Sequence, residues 1–300
     1  MQLIDSKVRL LQWCINSPEL AHTKQVLPLI GEADSELNQW LLALDQKPDS
    51  LHRFLETINT KRLGLYFESL WQFYLENGPN WQLLKHNWQI IEEKQTLGEL
   101  DVLAFNPSLG YLHMELAVKF YLQHPNHSGQ ECHHWLGPQS RDRLDIKLKT
   151  LNERQFPILH HPQCQALLAN LKIKQPIHQR LIFKGYLFNR FQNAYSLPTD
   201  VNPLCNMGEW LHQKYIAELT QGHDTWSFVK KSQWLGPLKL PKSENKHLIM
   251  GKEKTNKFVH DHFAGSQGNY ALMLIKLIEN QNEYAEINRY FIMDDAWPNA

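Results

Sequence analysis

GELDVLAFNPSLGYLHMELAVKFYL, residues 98–122, reads as two β-strands joined by a short turn. In the second strand Leu112, Met114, Leu116, Val118, Phe120 and Leu122 fall on one face. The other face carries Tyr111, His113, Glu115, Ala117, Lys119 and Tyr121. Alternation with period two sends one set into a core and the other to the opposite side of the sheet. That opposite side holds a carboxylate and an ammonium, and Asp101 stands in the strand before it. If the two strands pair antiparallel, Asp101 and Glu115 converge on one side of the sheet.

The segments around this pair read as α/β. Residues 61–77, KRLGLYFESLWQFYLEN, form a helix with a stripe at Leu63, Phe67, Leu70 and Tyr74, stopped by NGPN. WQLLKHNWQIIEEK (81–94) reads as a strand, GPQSRDRLDIKLKTLNERQ (137–155) as a helix and HQRLIFKGYLF (178–188) as a further strand. Residues 1–60 read as helical. Beyond about 195 the pattern predicts a helix near 207–220, strand-like TWSFVKKSQWL (225–235) and a helix at 252–264. A closing hairpin follows, YALMLIKLIE and YAEINRYFIMDD joined by NQNE. The expected organisation is an N-terminal helical segment (1–60), an α/β core (61–195) and an α+β extension (196–300). Trp-Leu-Gly-Pro occurs at 135–138 and again at 234–237, which reads as a shared aromatic-plus-turn solution rather than a duplication.

At 300 residues, 42% hydrophobic and 21% charged, the chain has the composition of an ordinary globular protein with a sizeable core. No stretch of about 18 apolar residues and no signal-peptide pattern occurs, so no membrane span is expected. Four scattered cysteines (Cys14, Cys132, Cys164, Cys205) without a CxxC pair point to reduced thiols and a cytoplasmic protein. Net charge is zero but unevenly spread: residues 1–115 hold 15 acidic and 9 basic side chains, and 116–300 hold 16 and 22. Arg154 to Thr199 contains Lys172, Lys174, Arg180, Lys184 and Arg190 and no acid. Clustered cations beside Tyr and Phe suit a polyanion. No phosphate-cradling GxxxxGK[ST], no GxGxxG and no GxSxG elbow appears, so no nucleotide cofactor is implied. Cys132, His133 and His134, with His124, His127 and Cys164, carry zinc-type donors in a spacing that fits no zinc module and reads as a His-rich loop.

Converging carboxylates are what a hard divalent cation such as Mg²⁺ or Mn²⁺ takes, with water and substrate phosphate completing its shell. Glu68 follows core residue Phe67 and sits at the edge of the buried stripe, placed for a third carboxylate or a hold on metal-bound water. GLYFE (64–68), GELD (98–101) and HMELAVK (113–119), in that order, resemble the PD-(D/E)XK nuclease-like superfamily over residues 61–190. The full-length pattern, ending in RYFIMDDAWP, also resembles an uncharacterised bacterial family commonly placed in that superfamily. The resemblance implies a restriction-endonuclease-like core and a metal-dependent nuclease acting on DNA or RNA. Asp101 and Glu115 correspond to the metal-binding acids and Glu68 to the auxiliary helical glutamate.

The resemblance has one departure. The family lysine stands two residues after the strand acid, where this chain has Ala117. Lys119 is four residues on and on the same face, about 13 Å away at strand rise instead of about 6.6 Å. Lys147 and Arg143 of the following helix are the alternative cations. Loss of catalysis, leaving a nucleic-acid-binding or scaffold protein, is the third option.

Overall fold

The computed structural model describes residues 3–21, 35–265 and 271–298. Residues 22–34 of the expected helical segment and Tyr270 of the closing hairpin lie outside the described residues. In chain order the helices are α1 (Ser6–Asn16), α2 (Ser35–Gln46), α3 (Asp49–Glu56), α4 (Leu63–Asn77), α5 (Leu144–Thr150), α6 (Pro162–Asn170), α7 (Ile216–Leu219), α8 (Lys242–Asn245) and α9 (Lys252–Gly265). The strands are β1 (Gln82–Glu92), β2 (Gln95–Asn106), β3 (Gly110–Gln123), β4 (Trp135–Leu136), β5 (Ile177–Arg190), β6 (Asn206–His212), β7 (Thr225–Val229), β8 (Lys239–Pro241), β9 (Leu272–Glu279) and β10 (Glu283–Met293). The fold is α/β, with mixed sheet flanked by helices. The chain divides into two units, 1–118 with 146–184 and 119–145 with 185–300, so β3 and β5 each supply residues to both. No helix among the described residues is long and apolar enough to cross a membrane, and all four cysteines are free.

In the first unit α4 forms because its apolar residues recur at helical spacing. Leu63, Phe67, Leu70, Trp71 and Tyr74 are buried, and Gly78 caps the end by donating its N–H to the Tyr74 carbonyl at 2.7 Å. The β1–β2 hairpin closes through Glu93 and Lys94, both left-handed (φ 45° and 69°), as a two-residue hairpin turn requires. β2 and β3 pair antiparallel, Val102 opposite Met114 and Asn106 opposite Gly110. Ile90, Leu100 and Leu103 pack under Ile158, Leu159, Cys164 and Leu168 of the segment that contains α6, a helix the sequence reading did not anticipate. Both faces of β3 are buried here. His113, Met114 and Glu115 are all 0% exposed. α5 begins only at Leu144 and runs into a π-helical turn, Leu151–Gln155.

In the second unit β5, β6 and β10 run parallel, with β9 and β7 added antiparallel beyond β10. The helix expected near 207–220 is corrected to strand β6 followed by turns and the single-turn α7. β6 has parallel neighbours on both sides, and from Gly208 to His212 all its residues but half-buried Glu209 are buried. Gly208 has a packing reason as well. A Cβ there would lie 2.6 Å from the Phe188 ring and 2.9 Å from the Arg289 carbonyl oxygen.

Among the described glycines, Gly185 of β5 makes the tightest backbone approach. Its φ is +141°, and a Cβ would fall 1.8 Å from the carbonyl oxygen of Lys119. Gly185→Ala should therefore destabilise the protein by about 3 kcal/mol or more, or prevent folding. Urea unfolding checks this, and a loss below about 0.5 kcal/mol would contradict the packing described.

Candidate functional site

Three elements of the first unit deliver carboxylates to one place. The β2–β3 ladder ends at Val102 and Met114, so the next residues along, Asp101 and Glu115, stand opposite one another. Instead of continuing the ladder, the Leu116 N–H donates to Asp101 Oδ2 at 2.8 Å. The Asp101 and Glu115 carboxyls lie close enough to act on one another's proton affinity. Glu68 approaches from α4, close enough for the Asp101 and Glu99 charges to act on it.

The electrostatics follow from burial. Burial, then the neighbouring Glu115 charge, push Asp101 up to about 7, opposed by the Leu116 N–H and by Lys147. Glu115, with a fully buried side chain, is pushed up to about 8 by burial, against the pull of Lys147. Glu68 rises to about 7 from burial and the charges of Asp101 and Glu99, with a hydrogen bond from Asn87 in opposition. These are like charges gathered in low dielectric, the arrangement that a bound cation relieves.

The supporting residues are polar and specific. His113 Nε2 lies 3.0 Å from Glu115 Oε1, and Gln155 Nε2 donates to Glu115 Oε2 at 2.5 Å. Burial drives His113 down to about 4, so the ring is neutral. Lys147 donates to Gln155 Oε1 at 2.9 Å. Asn87 has a left-handed backbone (φ 48°) in the middle of β1, between the pairs His86–Val102 and Trp88–Leu100 and thus opposite Asp101. Its side chain bonds Glu68, and its Oδ1 is buried without a partner. A residue held in that conformation inside a strand is strained, and such strain collects at functional sites.

Among the described residues no three His, Cys, Asp or Glu side chains are arranged to hold a metal ion. What the site offers is the Asp101–Glu115 pair of carboxyls. Mg²⁺ keeps much of its water shell and is commonly held by one or two carboxylates plus substrate phosphate, so two suffice for that class of ion.

The other expected site residues are dispersed. Lys119 belongs to the second unit and is committed to Asp142, Nζ to Oδ2 2.6 Å, an acid that also accepts from Tyr121. Arg143 makes a bidentate pair with Asp145 at 2.6 and 2.8 Å. Lys172 and Lys174 are exposed. Arg180 is buried and donates to the Gln179 carbonyl, and Lys184 is buried against Glu19 at 2.8 Å and the Ser17 carbonyl. Of the six cations in the acid-free stretch, Arg154, Lys172 and Lys174 are exposed, Arg190 is half-buried, and Arg180 and Lys184 are interior. In the second unit the rings of His124, His133 and His134 lie 4.3–6.3 Å from that of His127, while Cys164 is buried in the apolar cluster of the first.

A model of the family described as a domain of unknown function, DUF1853, matches residues 9–293. The chain belongs to that family. No curated protein and no solved structure matches it. In this DUF1853 chain the participants that sequence reasoning missed are His113, Gln155, Gln179, Asn87 and Glu99. His113 and Glu99 carried a signal, since each stands two residues before a site acid on the same strand face. Gln155 and Asn87 carried none.

The raised acids set a pH dependence. A carboxyl whose folded value lies above its ordinary one (3.8 for Asp101, 4.5 for Glu68 and Glu115) binds its proton more tightly when folded. Folding stability then falls as pH rises through the folded values near 7 and 8. In metal-free buffer the protein should lose about 2 kcal/mol between pH 6 and pH 9, and Asp101→Asn should remove a large part of that loss. Urea titrations at the two pH values check it. Stability that stays flat or rises over this window would contradict the geometry described.

Proposed function

We propose that the first unit carries a divalent-metal phosphodiesterase site of the PD-(D/E)XK nuclease type, acting on a nucleic-acid backbone, DNA or RNA. The observation that carries this reading is the pairing of Asp101 with Glu115 on adjacent strands, with Glu68 and Lys147 beside them. The order of elements supports it: a helix with Glu68, a strand, a strand with Asp101, a strand with Glu115, then a basic helix. That is the order on which the superfamily resemblance rests, and a restriction-endonuclease-like core is part of the proposal.

Asp101 and Glu115 would hold Mg²⁺ or Mn²⁺. Bound there, the ion supplies Lewis-acid polarisation of a phosphoryl oxygen and a lowered pKa for an attacking water. The chain's own groups do the rest. Lys147 takes the part of the family lysine missing at Ala117, its ammonium offsetting negative charge that builds on the phosphoryl group. Glu68, raised to about 7 by burial, would in its ionised form accept a proton from water at the site. The exposed Lys172 and Lys174 are the candidate backbone contacts.

A second reading has its own support. Ala117 in the lysine position and the complete burial of Glu115 favour a nuclease fold that binds nucleic acid, or serves as a scaffold, without cutting.

Two outcomes separate these readings. Mn²⁺ should raise the melting temperature by mass action on the native state, and Asp101→Asn should abolish the rise. Lys147→Met should then leave Mn²⁺ binding in place while lowering cleavage of single-stranded or duplex substrate by about 100-fold or more. Wild-type protein that takes up metal and binds nucleic acid yet cuts nothing supports the binding reading. In either case Lys172→Gln with Lys174→Gln should weaken binding and flatten the salt slope by up to about 0.9 per lost contact on duplex DNA. An unchanged slope excludes both lysines from the phosphate path.

A further inference from the structure

Gln155 stands between Lys147, beside the carboxylate cluster, and the buried glutamate, and its orientation is fixed. An ammonium has protons to give and no lone pair to offer, so Lys147 must face Gln155 Oε1. That leaves the Gln155 NH₂ directed at Glu115 Oε2. The other side of Glu115 is fixed in the same manner. Gln179 Nε2 donates to the Phe156 carbonyl at 2.7 Å and lies 3.2 Å from His113 Nδ1. Reversing that amide would set its oxygen against the Phe156 carbonyl. His113 Nδ1 is therefore the acceptor, and its Nε2–H donates to Glu115 Oε1.

Both oxygens of Glu115 thus receive N–H groups from neutral side chains. Each carboxylate oxygen keeps lone-pair capacity after one such bond. A lysine seated directly on Glu115 would instead cancel its charge and compete with any cation for it. The backbone is adapted to put an amide in that place. Phe156 N–H bonds the Leu151 carbonyl, five residues back, at 3.0 Å, so the helix widens where Gln155 turns toward Glu115. π-helical turns of this kind recur at functional sites.

We propose that Gln155 is a positioning residue that holds the Lys147 ammonium one amide away from Glu115, leaving the carboxylate able to bind a divalent cation. This rests on the assignment of Asp101 and Glu115 as metal ligands. Its signature is a rescue. If Gln155 is removed, Lys147 moves onto Glu115 and metal affinity falls; if Lys147 is then removed as well, affinity returns.

The experiment is Mn²⁺ titration calorimetry on the full chain, stripped of metal, at pH 8. Gln155→Ala should bind Mn²⁺ about tenfold more weakly than wild type. Lys147→Met should bind at least as tightly as wild type, and the double variant should come within about threefold of Lys147→Met. Melting curves accompany each protein, and Gln155→Met, of similar length and without a donor, replaces Gln155→Ala if that variant does not fold. Gln155→Ala binding like wild type overturns the proposal and leaves the metal site intact. A double variant as weak as Gln155→Ala also overturns it, because Gln155 then serves packing alone. Wild-type protein that binds no Mn²⁺ removes the metal site itself, and the proposal with it.

Discussion

Burial of two carboxyls against one another on adjacent strands is the constraint around which the first unit is arranged. A buried carboxylate without compensation is expensive, and a pair of them more so. A leucine at each position would satisfy the same strand pairing. The chain instead gathers the Leu116 N–H, the His113 ring, the Gln155 amide and the Lys147 ammonium around Asp101 and Glu115. It also accepts a ladder that ends early, a left-handed Asn87 and a π-helical turn. Irregularities of three kinds at one place are hard to explain as packing, since each gives up regular hydrogen bonding or relaxed backbone.

The second unit shows what a structural ion cluster looks like in the same protein. Arg289 is 2% exposed, yet its guanidinium is held by protein groups on several sides. It pairs twice with Glu286, donates to the Trp234 and Gly236 carbonyls and lies 3.9 Å over the Tyr186 ring. Opposite charges meet, and four of the five guanidinium N–H groups have acceptors within the protein. Lys119 with Asp142 follows the same logic at partial exposure. The Asp101–Glu115 pair departs from it, acid against acid, which is the arrangement expected where a cation or proton is to be handled.

Much of this was legible in the sequence, and the remainder was not for identifiable reasons. Period-two alternation of residues 98–122 fixes which side chains share a face, so Asp101 and Glu115 could be paired once an antiparallel hairpin was assumed. Glu68 was legible from its place at the edge of the Phe67 stripe. The partner of Lys119 was not, because Asp142 lies 23 residues away and no local spacing connects them. Lys184 read as a free cation in an acid-free stretch, whereas Glu19, far earlier in the chain, neutralises it inside the protein. Gln155 depends on a π-helical turn and Asn87 on a left-handed residue within a strand, and neither has a sequence signature. Strand β6 was read as helix because Trp210, Leu211 and His212 are all buried, which breaks period-two alternation at its end.

The central claim is that Asp101 and Glu115 form a site for one divalent cation. Anomalous diffraction from a crystal soaked in Mn²⁺, collected above and below the manganese edge, tests it most directly. The account predicts one anomalous peak within about 2.5 Å of an oxygen of Asp101 and of an oxygen of Glu115, with water in the remaining positions. Full-occupancy Mn²⁺ elsewhere on the protein, with no peak between the two carboxyls, would contradict it.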